Sequence, residues 1–160
     1  MNLKERTYLW YLAVIRIYAG YYLLSQGIRK FQRDFPKGDW IGRQIGDLTT
    51  VELYPWYKNL FQVYVVPHHE LVGYLVMCGE IAVGTCLLIG FLTRISAIIG
   101  LFLVTNYYLS IGVPHGGAAM ANQQILIMMM AIFALANPGR TLGLDGVMFS
   151  GGGGKGKGAR

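Results

Sequence analysis

Four stretches of this chain are too apolar and too long to be the one-sided helices of a soluble domain. Residues 8–28, 71–92, 95–113 and 118–136 are each about 20 residues long. A bilayer core of about 30 Å needs about 20 apolar helical residues, so every run is long enough to span it. The runs hold only two charged residues, Arg16 and Glu80. Period-two alternation is absent, which argues against a transmembrane barrel. The expected fold is therefore all-α: an integral membrane four-helix bundle, with residues 1–150 as a single four-span domain.

Composition narrows the function classes. Charged residues make up 14% of the chain, against about 25% in soluble domains. A small soluble enzyme is excluded on that ground. The net charge of +6 could suggest a nucleic-acid binder, but such proteins cluster their basic residues on a polar face. Here the charges fall in short stretches between apolar runs, so the expected partner is the lipid bilayer and not nucleic acid. The first run is also too long for a signal peptide, contains Arg16 and lacks a small-x-small cleavage site, so it is expected to remain as a span.

Lys and Arg placement sets the expected orientation. Lys4, Arg6, Arg94, Arg140, Lys155, Lys157 and Arg160 would share one side. Arg29, Lys30, Arg33, Lys37, Arg43 and Lys58 would share the other, diluted by Asp34, Asp39, Asp47 and Glu52. The first arrangement favours both termini in the cytoplasm of a bacterial inner membrane.

The connections differ in kind. Thr93-Arg94 permits only a tight hairpin between the second and third runs, and Pro114-His115-Gly116-Gly117 reads as a turn. About forty residues separate the first two runs. Within them Leu53, Trp56, Tyr57, Leu60, Phe61 and Tyr64 recur at helical spacing, with Pro55 suited to a first helical position and Pro67 to a stop. That pattern predicts an amphipathic interfacial helix, or equally a lid over one end of the bundle. Residues 151–160 are Gly- and Lys-rich and are expected to form a flexible tail that contacts anionic lipid or a partner. Gly154-Lys155 is not a phosphate loop, because Gly156 stands where Ser or Thr is required.

An ionisable residue inside a span needs a reason. At about 1.5 Å rise per residue, Arg16 and Glu80 fall within about 5 Å of the same depth. An Arg16–Glu80 ion pair is the simplest arrangement that makes both tolerable, and Asn106 reaches a similar depth on the third run. Gly20 and Gly27 follow Arg16, and Gly73 and Gly84 flank Glu80, so these are expected to be the inward faces. The triad either fixes helix register or forms a polar centre for a redox carrier, a proton or a small solute. His68, His69, Glu70, His115 and Gln123 fall on one side under this topology. They read either as ordinary interfacial residues or as a proton-handling or quinone head-group site. Adjacent histidines on a helix point about 100° apart, which disfavours a shared metal ion. Cys78 and Cys86 are two turns apart, too far for a disulfide. The Met128-Met129-Met130 run reads as adaptable packing. No complete catalytic set is present in the sequence.

The pattern Arg16-x3-Gly20-x6-Gly27-x2-Lys30 resembles the opening of the DoxX/DoxD family of small four-span bacterial membrane proteins. So do Glu80 with Gly84, the run Leu87-Leu88-Ile89-Gly90-Phe91-Leu92-Thr93-Arg94, and the ending Asn137-Pro138-Gly139-Arg140 with Leu144-Asp145. In that family DoxD is the membrane subunit of a thiosulfate:quinone oxidoreductase, paired with a smaller DoxA subunit. The resemblance implies a membrane subunit of an electron-transfer assembly that anchors other subunits and contacts quinone. The alternatives are a non-catalytic accessory subunit of a large respiratory or photosynthetic complex, and a small solute carrier. Four spans leave little room for an alternating-access path in the carrier reading.

Overall fold

The computed structural model describes residues 3–50, 54–140 and 143–149. The described residues are helical throughout their regular structure and contain no strand. Helix α1 (Leu3–Gln32) runs into a 3₁₀ turn at Phe35–Lys37, followed by α2 (Trp40–Thr50). The short α3 (Pro55–Leu60) continues into a π-helical turn, Phe61–Val65. Helix α4 (His69–Ile89) leads through a brief link to α5 (Thr93–Tyr107). A second π turn, Tyr108–Gly112, joins α5 to the short α6 (Val113–His115), so that Thr93–His115 forms one long rod. Helix α7 (Gly117–Ala136), a 3₁₀ turn at Pro138–Arg140 and α8 (Leu144–Phe149) complete the described chain.

Among the described residues, three helices are long and apolar enough to cross a membrane: His69–Ile89, Thr93–His115 and Gly117–Ala136. Their ends differ from the apolar runs by a few residues, because backbone chemistry sets them and hydropathy does not. Gly90, at φ 70, closes α4, and the next amide donates back to the Cys86 carbonyl at 2.9 Å. At the other link Pro114 and His115 are helical, and only Gly116 breaks the chain direction, where a turn over four residues is expected.

Helix α1 packs along α4 by close backbone approach. A Cβ placed on Gly20 would lie 2.6 Å from the Leu88 amide nitrogen, and one on Gly84 would lie 2.8 Å from the Leu24 Cα. Both obstacles are backbone, so a methyl group would have to push the helices apart. Gly84→Ala should therefore destabilise the protein by about 1–3 kcal/mol. Gly79→Ala, whose methyl would meet only the Leu103 side chain at 3.3 Å, should be much milder. Thermal unfolding of the two variants in the same detergent measures the contrast.

The core behind this contact joins Leu23 of α1 with Val83 and Leu87 of α4, Val104 of α5, and Met130 and Phe133 of α7. A second cluster gathers the connection between α1 and α4. Trp40 stacks on Phe35 at 5.0 Å between ring centroids, with Tyr57 and Phe61 buried beside them. The expected amphipathic helix is thus split. Its inward residues Tyr57 and Phe61 belong to that cluster, whereas Trp56, Leu60 and Tyr64 are exposed. The chain turns from α-helix to π-helix in the middle of the segment. Leu53, part of the same pattern, and the Gly- and Lys-rich tail at 151–160 lie outside the described residues. Helix α2 has no counterpart among the sequence expectations.

Candidate functional site

Lys30 stands in the last turn of α1, three residues beyond Gly27 and on the same face. A Cβ on Gly27 would meet the Glu80 Cβ at 3.2 Å, so the small residue brings the α1 backbone against α4 at this level. Lys30 Nζ therefore reaches Glu80 Oε1 at 2.6 Å. Tyr107, the last residue of α5 before the π turn, donates its hydroxyl to the same oxygen at 2.6 Å. Lys30 Nζ also donates to that hydroxyl and lies 5.2 Å from the Phe35 ring centroid. Glu80 is 1% exposed. Three helices thus converge on one carboxylate oxygen. The second, Oε2, is buried without a hydrogen-bond partner.

The predicted Arg16–Glu80 pair does not form. Contacts between Gly20 and Leu88, and between Gly27 and Glu80, set an antiparallel register that carries Arg16 toward Gly90. The ten-residue step from Glu80 to Gly90 is about 15 Å of helix rise. Arg16 is itself 1% exposed. Its Nη1 donates to the Pro138 carbonyl at 3.1 Å, and Asp145 supplies the nearby negative charge. Depths counted from the start of each apolar run place the two residues level, but the runs themselves are offset along the α1–α4 seam.

Asn106 is also displaced from its expected role. Its side-chain amide donates to the Phe102 carbonyl of its own helix at 2.8 Å, and its carbonyl accepts from the Tyr57 hydroxyl at 3.4 Å. The neighbouring Tyr107, rotated by about 100°, occupies the centre instead. Burial raises the Tyr57 phenol above its ordinary range, so it remains a donor at neutral pH.

The second predicted cluster is dispersed. His68 and His69 each place Nδ1 near a carbonyl one turn back, Tyr64 at 3.3 Å and Val66 at 3.1 Å. Glu70 is exposed. Among the described residues these three and His115 do not form a group able to hold one metal ion. His115 lines an outer cleft. Gln123 lines an inner chamber, where its Oε1 is buried without a hydrogen-bond partner.

Three cavities surround the centre. The inner chamber, ≈160 Å³, is walled by Tyr22, Gln26, Lys30, Glu80, Tyr107 and Gln123 among others. The outer cleft, ≈450 Å³, shares Gln26, Lys30 and Tyr107 with it. A mainly apolar cavity of ≈250 Å³ lies between the aromatic connection and α5, bounded by Trp40, Tyr57, Phe61, Val76, Leu103 and Tyr107. Tyr107 borders all three. A π turn directly after it is a recurrent device for redirecting side chains at functional positions. Chemically, the centre offers cationic and hydroxyl donors beside an unsatisfied carboxylate oxygen and an unsatisfied amide oxygen. Such a pair of donors and acceptors suits a small ligand that can both accept and donate hydrogen bonds.

A helical membrane protein with a buried Lys–Glu–Tyr centre between its helices is the class that these features define. The DoxX family profile matches residues 11–112, and the chain belongs to that family. No curated protein and no solved structure matches it.

Proposed function

We propose that this chain is the membrane subunit of a bacterial quinone-linked oxidoreductase, with the quinone ring held at Lys30, Glu80 and Tyr107. The observation that carries the reading is the buried, unsatisfied Glu80 Oε2 beside donor groups that line the inner chamber. A quinone carbonyl accepts from Lys30, Tyr107 or Gln26, and a quinol hydroxyl donates to Glu80 or to the Gln123 carbonyl. The chamber is of ring size, and the adjoining apolar cavity takes the start of a prenyl tail. Electrons come from a partner subunit.

In this reading α1 is the fourth span and both termini lie in the cytoplasm. The exposed residues Tyr11, Val14, Ile15, Tyr18 and Tyr21 of α1 support its contact with lipid. The exposed Trp56, Val63 and Tyr64 supply an aromatic surface at the membrane interface for anchoring partners.

Titration of the full chain in nanodiscs with a short-tailed benzoquinone, followed by quenching of tryptophan fluorescence, tests the site. Saturable binding should weaken about tenfold in Tyr107→Phe and Glu80→Gln, since each alters a hydrogen-bonding group at the proposed site. His68→Ala should bind as the parent does. Unchanged affinity in both centre variants, with helicity retained, would overturn the reading.

A further inference from the structure

The outer cleft has a charge pattern that the quinone reading leaves unused. Arg29, Arg33 and Arg43 line it with Lys30, and its lining contains no carboxylate. Lys30 is balanced by Glu80, whereas none of the three arginines is ion-paired among the described residues. Neither Asp34 nor Asp39 lines the cleft. Asp34 sits in a left-handed turn, and the carboxylate of Asp39, just before α2, lies against Gly42 of that helix.

Two of the guanidinium groups are held in place by their own helices. Arg29 Nε donates to the Ser25 carbonyl at 3.3 Å, and Arg43 Nε donates to the Asp39 carbonyl at 3.2 Å. These bonds use the Nε positions and leave the terminal fork nitrogens for a ligand. Arg29 comes from α1, Arg33 from the turn after it and Arg43 from α2, and all three line the one cleft. A carboxylate holds its acceptor oxygens in a single plane, which suits one guanidinium fork better than three. A tetrahedral oxyanion does not, and arginine favours such groups.

We propose that this cleft binds a phosphate-type oxyanion through Arg29, Arg33 and Arg43. The anion is either free in solution or the phosphodiester of an anionic lipid entering from the membrane surface. The inference stands apart from the quinone reading, since it uses neither Glu80 nor Tyr107 and its test contains no quinone.

The full chain in uncharged detergent is titrated with phosphatidylglycerol, phosphatidylcholine, sodium phosphate, and sodium chloride at matched ionic strength, and the unfolding midpoint is recorded. Phosphatidylglycerol, with or without phosphate, should raise the midpoint beyond the chloride and phosphatidylcholine controls. An effect of the lipid alone identifies a headgroup site, and an effect of both shows that the oxyanion suffices. The apparent affinity should fall about tenfold or more in Arg33→Gln/Arg43→Gln, which removes two charge-assisted contacts. Arg29→Lys, which keeps the charge and loses the fork, should also weaken it. Lys37→Gln, at an exposed cation outside the lining, should leave it unchanged. No stabilisation by either phosphate source, or equal stabilisation of the parent and the double variant, would overturn the proposal. An equal loss in Lys37→Gln would do the same, by showing a diffuse surface-charge effect.

Discussion

Lys30→Met should cost about 3–5 kcal/mol of stability, the usual penalty for removing one partner of a buried ion pair. Glu80 is almost wholly buried, and Lys30 and Tyr107 are its hydrogen-bond partners in the described structure. Without the ammonium group, the carboxylate retains one phenol donor and a second oxygen that already has none. The double variant Lys30→Met/Glu80→Met removes the charge that needs a partner and keeps the volume apolar. It should recover most of the loss, because a buried pair and a well-packed apolar replacement are often close in free energy. Denaturant titration of the parent, both single variants and the double variant closes the cycle. A small loss in Lys30→Met, or no recovery in the double variant, would show that the pair does not act as a unit.

The opposite end of the bundle should be equally sensitive. Asp145 of α8 accepts from the Leu92 amide at 2.7 Å and the Thr93 amide at 2.9 Å. Its own amide donates to the Gly90 carbonyl at 3.0 Å. The carboxylate therefore caps the start of α5, where helical amides have no intrahelical partner, and favours the positive end of the helix dipole. It also holds Leu92 in the left-handed conformation, at φ 46, which a residue with a Cβ adopts only when its surroundings enforce it. Each charge-assisted hydrogen bond contributes about 1.5–3 kcal/mol, so Asp145→Ala, which removes two of them, should lose about 3–5 kcal/mol. Asp145→Asn keeps one acceptor oxygen and should fall between. Unfolding midpoints, with limited proteolysis at the link between α4 and α5, distinguish a local opening from a global loss.

Hydropathy and glycine spacing made the helices legible before any coordinates. The apolar runs at 71–92, 95–113 and 118–136 correspond to α4, the rod from α5 through α6, and α7. The buried charges Arg16 and Glu80 could be singled out by type, since neither belongs in an apolar run. Their partners could not, because pairing depends on a register set where Gly20 and Gly84 let two backbones touch. A shift of a few residues along that seam exchanges one cation for another. Lys30 carried a usable signal: it stands three residues after Gly27, on the same helix face, but it falls just outside the apolar run and reads as surface charge. Tyr107 carried a weaker one, since only the helix rotation at the end of α5 decides whether it or Asn106 points inward. Helix α2 packs on the π turn Tyr108–Gly112 and on α6, and the split of the aromatic segment reflects burial of Tyr57 and Phe61 beside Val72 and Leu109, contacts that no local pattern contains.

The contact of Arg16 with the Pro138 carbonyl and Asp145 spans nearly the whole described chain. Its consequence is temporal. A ribosome makes Arg16 long before it makes Pro138 or Asp145, so a nascent chain halted after α7 has neither that carbonyl nor that carboxylate beside the guanidinium. The same halted chain has the first amides of α5 without their carboxylate cap. Synthesis of α8 and closure of this corner of the bundle are thus coupled.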